Sequence, residues 1–542
     1  MTIITAKQPA CAMSPARSAR GRAPAALTPL AAAVLLLAAL PAHADWRVTP
    51  TLRVAETWTD NVNLTEDELA HSDLITQISP GFKLSNQTRR LTVNASAQLH
   101  TFAYLHDSDK RNRDGSFGDG ENGGVSSVRR SYRANLRGEL AQDLLFLDAT
   151  AARGQQNISA FGPRITNDQY SNANRTDIDT WSISPYLLKN FGSTAAGQLR
   201  FTRDSVGGGD NIGFRRTGGN TLLASLVNGP AFRTLGWGVT YTKQDLNGGR
   251  YGDSSSEMLA TNLRYMVNGR FSLLANAGYD RYEFEGLGGG EQGANWSVGF
   301  AWTPSSRTSL QATAGRHFYG NTGTLMAMHR SRHTSWNVSY NDVITTSRQQ
   351  FTLPSTIDTA GLLDRMFATA YPDPVQRAQV VQAYIDQTGL PPSLSDSINY
   401  LSNRFMRQKR LQASMVYRKG RSSAVLSAHA SDRNAISDQQ SDSPLLGSQQ
   451  GRYSDNVRQH GVEANYTYRL NSRSNLTARY DINESESRDR GYKSTQRVFQ
   501  LGVSRRFGET IGSVDLRRRS GDRFNAGTYT ENAISASLFK TF

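Results

Sequence analysis

The chain has 542 residues, 61 Lys and Arg against 46 Asp and Glu for a net charge of +15, and only 37% hydrophobic residues. A bundle of membrane helices is excluded by so polar a composition, because each helix needs about 20 consecutive apolar residues. The length suits about three or four ordinary soluble domains, or one large barrel.

The one long apolar run, Ala25 to Leu40, follows Lys7, Arg17, Arg20 and Arg22 with no acid before it, and it ends in Ala42-His43-Ala44. This is the pattern of a secretory signal with a small-x-small cleavage site, so residues 1–44 are expected to be removed. The cut lowers the net charge from +15 to +11 and takes away Cys11, the single cysteine. Cys11 precedes the apolar run, so it cannot become a lipidated first residue, and the mature chain has no disulfide or thiolate chemistry. An envelope protein without disulfides must draw its stability from another source, such as a closed hydrogen-bonded ladder.

After Ala44 a period of two sets in, which puts alternate side chains on opposite faces of an extended strand. Trp46, Val48, Pro50, Leu52 and Val54 take one face, and Arg47, Thr49, Thr51 and Arg53 the other. The alternation returns at Leu91 to Leu99, Tyr132 to Leu140, Leu235 to Tyr241, Trp296 to Trp302, Val462 to Tyr468 and Leu476 to Ile482. About 22 such segments (20 to 24) can be counted, each near the roughly 9–11 residues of a tilted membrane-crossing strand. Short turns such as Asn86 to Arg89, Asn190 to Ser193 and Leu470 to Arg473 alternate with long polar loops such as His106 to Ser126, Gly154 to Thr176 and Asp432 to Asn456. The expected fold is all-β, a transmembrane antiparallel up-and-down barrel over residues 45–542, with short periplasmic turns and long outer loops. A soluble sandwich, β-helix or propeller also alternates, but it has no reason to alternate its loop lengths or to gather Trp and Tyr near strand ends.

The polar partners of the apolar stripes are expected to face the lumen. They are rich in arginine: Arg53, Arg133, Arg137, Arg200, Arg264, Arg410, Arg479, Arg517 and Arg519 are the pore-lining candidates. Glu139, Asp148, Asp280, Glu463, Asp481 and Asp515 fall on the same face. Such charges can knit the wall together by cross-strand pairing. They can also bind anionic or sugar-like solutes, since guanidinium forks hold carboxylates bidentately. The basic balance further suits loops touching anionic lipopolysaccharide, and a protein sent to the envelope is a poor nucleic-acid binder.

Residues 345–406 break the period of two. Leu362, Leu363, Met366, Phe367 and Ala370 recur at helical spacing, and Asp373-Pro374 supplies an N-cap and first-turn proline for a second helix that Gly389 and Pro391-Pro392 stop. Turn parity puts this insertion on the outer side, where it is expected to plug or gate the lumen; deleting it should then raise single-channel conductance. The alternative is an external helical cap.

Catalytic signatures are weak. Gly286 to Gly290 lacks the Gly-Lys-Ser/Thr ending of a phosphate loop and reads as a flexible turn. His329 and His333 have helical ligand spacing, but Arg330-Ser331-Arg332 looks like a tight turn that would separate the rings. Asp107, Asp109, Asp114, Asp119 and Glu121 share one loop without the spacing of a twelve-residue calcium loop. No metal or cofactor is expected. An outer-membrane hydrolase would use His317 or His429 as general base, and alanine at those positions is the test of that minor alternative.

The C-terminal stripe Ile534, Ala536, Leu538, Lys540, Phe542 ends on an aromatic, as does the signal read by the barrel assembly machinery, with Leu538 and Phe542 in the signal positions. Lys540 stands where a second aromatic is usual. Three further segments, Thr59 to Leu64, Ser72 to Gly81, and Asp373-Pro374 through Thr388-Gly389-Leu390-Pro391, resemble the outer-membrane β-barrel porin family associated with PEP-CTERM/exosortase loci and exopolysaccharide gene clusters. The resemblance covers nearly the whole mature chain and carries no catalytic residue. It implies a setting of exopolysaccharide production and sorting of tagged surface proteins, with periplasmic polysaccharide-export components as partners. Export of an exopolysaccharide is the first expectation, a general or solute-specific porin the second, and a docking protein for PEP-CTERM surface proteins the third.

Overall fold

A computed structural model of the chain describes residues 46–106, 128–157, 159–163, 170–171, 174–208, 217–247, 253–284, 290–346, 405–436, 456–489, 491–522 and 527–542. The signal segment, the acidic loop and most of the insertion expected over 345–406 lie outside them. Twenty-two strands form one sheet. In chain order they are β1 Arg47–Thr59, β2 Asp73–Gln87, β3 Leu91–Tyr104, β4 Val128–Ala141, β5 Leu145–Asn157, β6 Arg175–Phe191, β7 Ala195–Gly208 and β8 Thr217–Asn228. Then come β9 Leu235–Asn247, β10 Ser254–Asn268, β11 Phe271–Phe284, β12 Gly290–Ser305, β13 Thr308–His317, β14 Gly320–Arg330 and β15 Thr334–Thr345. The last seven are β16 Met406–Lys419, β17 Ser422–Ala435, β18 Asn456–Arg469, β19 Ser474–Ser487, β20 Lys493–Phe507, β21 Thr510–Asp522 and β22 Thr528–Thr541.

Each strand pairs antiparallel with the next, and β1 pairs with β22 from Thr51↔Thr541 to Thr59↔Ala533, so the sheet closes on itself without a free edge. The outer face is set by the apolar stripes: Leu263, Leu273, Trp296, Val298, Phe499, Val514 and Leu538 are all exposed although apolar, as a lipid-facing wall requires. Phe191, Trp302, Trp336, Phe507 and Phe542 border this band at the short turns, while Trp58 and Tyr279 stand nearer the other end. The short turns close tightly because Gly420 and Gly508 take φ of +60° and +63°, a region glycine enters without steric cost.

The strands are longer than the alternation predicts, 10 to 17 residues. At roughly 3.3 Å per residue and a tilt of about 40°, a 14-residue strand rises about 35 Å, past an apolar band of about 25 Å. The excess projects on the side of the long loops. There the outer face turns ionic: Arg153 pairs with Asp179 at 3.2 Å, Lys243 with Glu257 at 2.9 Å, and Arg281 with Glu283. Charge on that face marks strand that stands in water rather than lipid.

One place departs from regular pairing. β13 and β14 are the shortest strands, and β14 meets β15 only from Leu325↔Tyr340 to Arg330↔Ser335. Above that level Arg407 holds the gap. It donates to both oxygens of Asp342 at 2.9 and 2.7 Å and to the carbonyls of Tyr319 and Asn321 at 3.1 and 2.7 Å.

Candidate functional site: the lumenal wall and its inward loop

The cross-strand register puts all nine candidate arginines on the inner face, opposite the apolar stripes. They do not form one cluster. Arg137 and Arg200 converge on Asp148, at 3.1 and 3.0 Å, and the Arg200 guanidinium also lies 3.9 Å from the Tyr186 ring centroid. Arg479 pairs with Glu463 at 3.1 Å, and Arg264 donates to Ser272 Oγ at 3.1 Å. Arg53 lies over the Phe539 ring, at 5.8 Å. Arg410 sits in register between Asn341 and Ser431. Arg133 is exposed and has no ion-pair partner among the described residues.

Arg517 and Arg519 belong to the most enclosed ionic group on the wall, and its centre, Glu531, is fully buried. Glu531 accepts from Arg517 Nη2 at 2.7 Å, Arg519 Nη1 at 3.1 Å and Thr59 Oγ1 at 3.0 Å. It also accepts from the hydroxyl of Tyr170 at 3.0 Å, and Arg517 Nη2 donates to that hydroxyl at 2.5 Å. Tyr170 belongs to the connection between β5 and β6, five strands from β22 round the closed ring. The described residues of this connection therefore lie inside the barrel, along the wall from β3 and β4 round to β20 and β22. Arg129 on β4 donates to the Ser171 carbonyl at 3.5 Å, Tyr104 on β3 to the Tyr170 carbonyl at 2.9 Å, and Ser494 on β20 to the Phe161 carbonyl at 3.3 Å. Phe161 meets Tyr492 edge to face at 5.4 Å, and Tyr170 packs with Val62, Ile75 and Phe102.

The base of this loop is shaped locally by Asn174. Its backbone is left-handed, φ 56°, a region asparagine tolerates better than most residues. Its side chain accepts from the Ser159 amide at 2.8 Å and donates to the Ser159 and Pro163 carbonyls at 2.9 and 3.2 Å. Any Cβ on Gly162 would run into that side chain. The described part of the loop thus carries its own internal brace.

Alternation alone could have flagged Glu531: three residues before Ile534, it falls on the inner face of β22. Tyr170 and Phe161 carry no periodic signal, since loop residues follow no fixed face. At the remaining flagged positions, His317 Nδ1 bonds Asp280 Oδ2 at 2.8 Å and His429 Nε2 bonds Asn483 Oδ1 at 3.1 Å. His329 Nδ1 bonds Thr308 Oγ1 at 2.9 Å, while His333 Nδ1 bonds the Arg418 carbonyl at 3.2 Å. At the C-terminus, Leu538 and Phe542 lie on the outer face, and Lys540 Nζ stands 4.5 Å from the Phe542 ring centroid.

The inner wall is electrically lopsided. Over β1–β4 it carries Arg47, Arg53, Lys83, Arg129, Arg133 and Arg137 against Asp73 and Glu139. Over β8–β15 it is mostly Ser, Thr, Asn, Gly and Ala, with Arg264 and Arg330 balanced by Asp280 and Glu291. Within β1–β4 the half toward the long loops lies under the inward loop, where His100, Phe102 and Arg129 are buried. Toward the short turns Arg47, Arg53, Arg133 and Arg137 are exposed.

No family model matches this chain, and no curated protein matches it. Among solved structures it is similar to the FrpB iron transporter from Neisseria meningitidis, with 11% identity, 91% of this chain and 82% of that one covered, and a TM-score of 0.46. The siderophore receptor PirA from Pseudomonas aeruginosa gives 11% identity, 92% and 80% coverage and a TM-score of 0.44. OccAB3 of Acinetobacter baumannii gives 8% identity, 92% and 99% coverage and a TM-score of 0.36.

Proposed function

We propose that this chain is a non-catalytic channel of the bacterial outer membrane through which a polar polymer, an exopolysaccharide with acidic or polar sugars, leaves the periplasm. The observation that carries the reading is the contrast between the two faces of one closed sheet. An apolar outer face suits lipid, and an inner face of arginines, amides and hydroxyls suits a hydrated chain held by many weak, replaceable contacts. The finer assignment to exopolysaccharide rests on the resemblance carried by Thr59 to Leu64 and Ser72 to Gly81. Periplasmic polysaccharide-export components are the partners this reading calls for, together with the assembly machinery that inserts the barrel. Lipopolysaccharide would meet the ionic outer rim, where Arg153 and Lys243 stand.

The test is where polysaccharide accumulates in a strain lacking this one gene, beside a complemented control. Polymer held in the periplasm supports export, and normal surface polymer discards it. A second reading, a porin for small polar solutes, is favoured by Tyr170 and Phe161, which dock on the inner wall, because groups held inside the barrel narrow the passage. It predicts small-solute uptake and a steady conductance from the isolated barrel. If neither result appears, coprecipitation of PEP-CTERM surface proteins through the outer loops is the expected outcome.

A further inference from the structure

We infer that the exposed half of the β1–β4 inner wall is a binding strip for a chain of regularly spaced carboxylates, that is, an acidic sugar oligomer. The inference rests on the channel reading and names its substrate class. The strip is organised by register. Lys83 on β2, Ser96 on β3 and Arg133 on β4 lie in one cross-strand row. Strands stand about 4.8 Å apart, so Lys83 and Arg133 are separated by roughly 10 Å across the sheet. Arg137 follows Arg133 on the same face four residues along β4, roughly 13 Å away at about 3.3 Å per residue. Between these cations stand Asn94, Ser96 and Asn135, which can serve sugar hydroxyls.

Two facts separate the strip from a merely structural charge network. The first is the missing counter-charge: Arg133 has no ion-pair partner among the described residues, and Arg137 shares Asp148 with Arg200 while its own side chain is 71% exposed. The second is the wall over β8–β12, which keeps full strand pairing with amides, hydroxyls and few charges. Strand closure does not need the surplus of cations. Their spacing exceeds the reach of a single carboxylate, so a monomer engages one position and an oligomer engages several at once, which raises its affinity by effective concentration. Guanidinium-carboxylate pairs at such a wet site form and break easily, as passage demands.

The experiment is calorimetric titration of the purified full barrel in detergent with tetragalacturonate, with galacturonate monomer and with neutral maltotetraose. Saturable binding of tetragalacturonate is expected, with both other sugars at least about tenfold weaker. Combined Lys83→Gln, Arg133→Gln and Arg137→Gln should weaken it by about tenfold or more, while Arg264→Gln on the other wall leaves it unchanged. No binding of tetragalacturonate, equal binding by the combined variant, or equal binding of the monomer or of maltotetraose overturns the proposal. If the combined variant loses its heat-modifiable folded band, Arg133→Gln alone is read in the same way, with a loss of about threefold expected and none overturning. Because the titration uses the isolated barrel, its result is independent of the deletion strain. Binding with normal surface polymer would sink export and leave the strip standing, and trapped polymer without binding would do the reverse.

Discussion

The wall over β1–β4 and the wall over β8–β15 are made of the same alternating strands, yet one is crowded with cations and overlain by a loop while the other is nearly neutral. Both belong to the same closed sheet, and over β8–β12 the ladder is as complete as over β1–β4. The backbone ladder and the apolar outer face therefore carry the architecture, and the inner side chains are left to vary with function. Two buried carboxylates are held by arginine: Glu531 gathers two arginines and two hydroxyls, and Asp342 holds Arg407. Exposed charge varies: Arg133 has no ion-pair partner among the described residues, while the exposed Arg137 shares Asp148 with Arg200.

That comparison can be broken most decisively at Glu531. Replacing it by alanine leaves Arg517 and Arg519 buried without their acceptor and should cost about 3–5 kcal/mol. Urea unfolding followed by the heat-modifiable band on gels would measure it, and a midpoint within error of the parent would show that the knot is not structural. On the neutral side, Arg407→Ala strands the buried Asp342 carboxylate beneath the gap between β14 and β15, for a loss of about 2–3 kcal/mol. Proteolysis should then open the β13–β14 region first; unaltered cleavage would remove Arg407 as the fastening there.

Tyr170→Phe deletes a single hydroxyl that bonds two charged groups, so the expected loss is about 1–2 kcal/mol. Single-channel conductance should rise as the loop loosens, and a lower or equal conductance would mean that the loop does not narrow the lumen. The smallest stability effect is expected at Arg133, where glutamine should leave the unfolding midpoint in place because the side chain is exposed. Its anion preference in planar bilayers should nonetheless fall relative to the parent, and a destabilised Arg133→Gln barrel would place this residue among the structural charges instead.

Much of the fold is written in local pattern. Trp46 to Val54 and Leu476 to Ile482 fix their faces through the geometry of extended backbone, which needs no information from elsewhere in the chain. Turn residues such as Gly420 work the same way. The inner face of each candidate arginine follows from that parity, and so does the face of Leu538 and Phe542. Strand length was less legible, because the sequence marks where apolar side chains stop and not where hydrogen bonding stops. The ladder continues into water as long as neighbours such as Lys243 and Glu257 can pair across it.

By itself, then, the sequence determined the class, the faces of the strands and the excess of inward arginine, since all three depend on neighbours two residues apart. Only the tertiary structure decided that Tyr170 and Phe161 of the β5–β6 connection dock on the inner wall, that Tyr170 meets Glu531 across 361 residues of chain, and that inward cations outnumber inward acids over β1–β4. Those outcomes depend on closure of the barrel, which sets residues distant in the chain side by side, and on burial, which lets an acid that reads as one more polar side chain in β22 become the partner of two arginines.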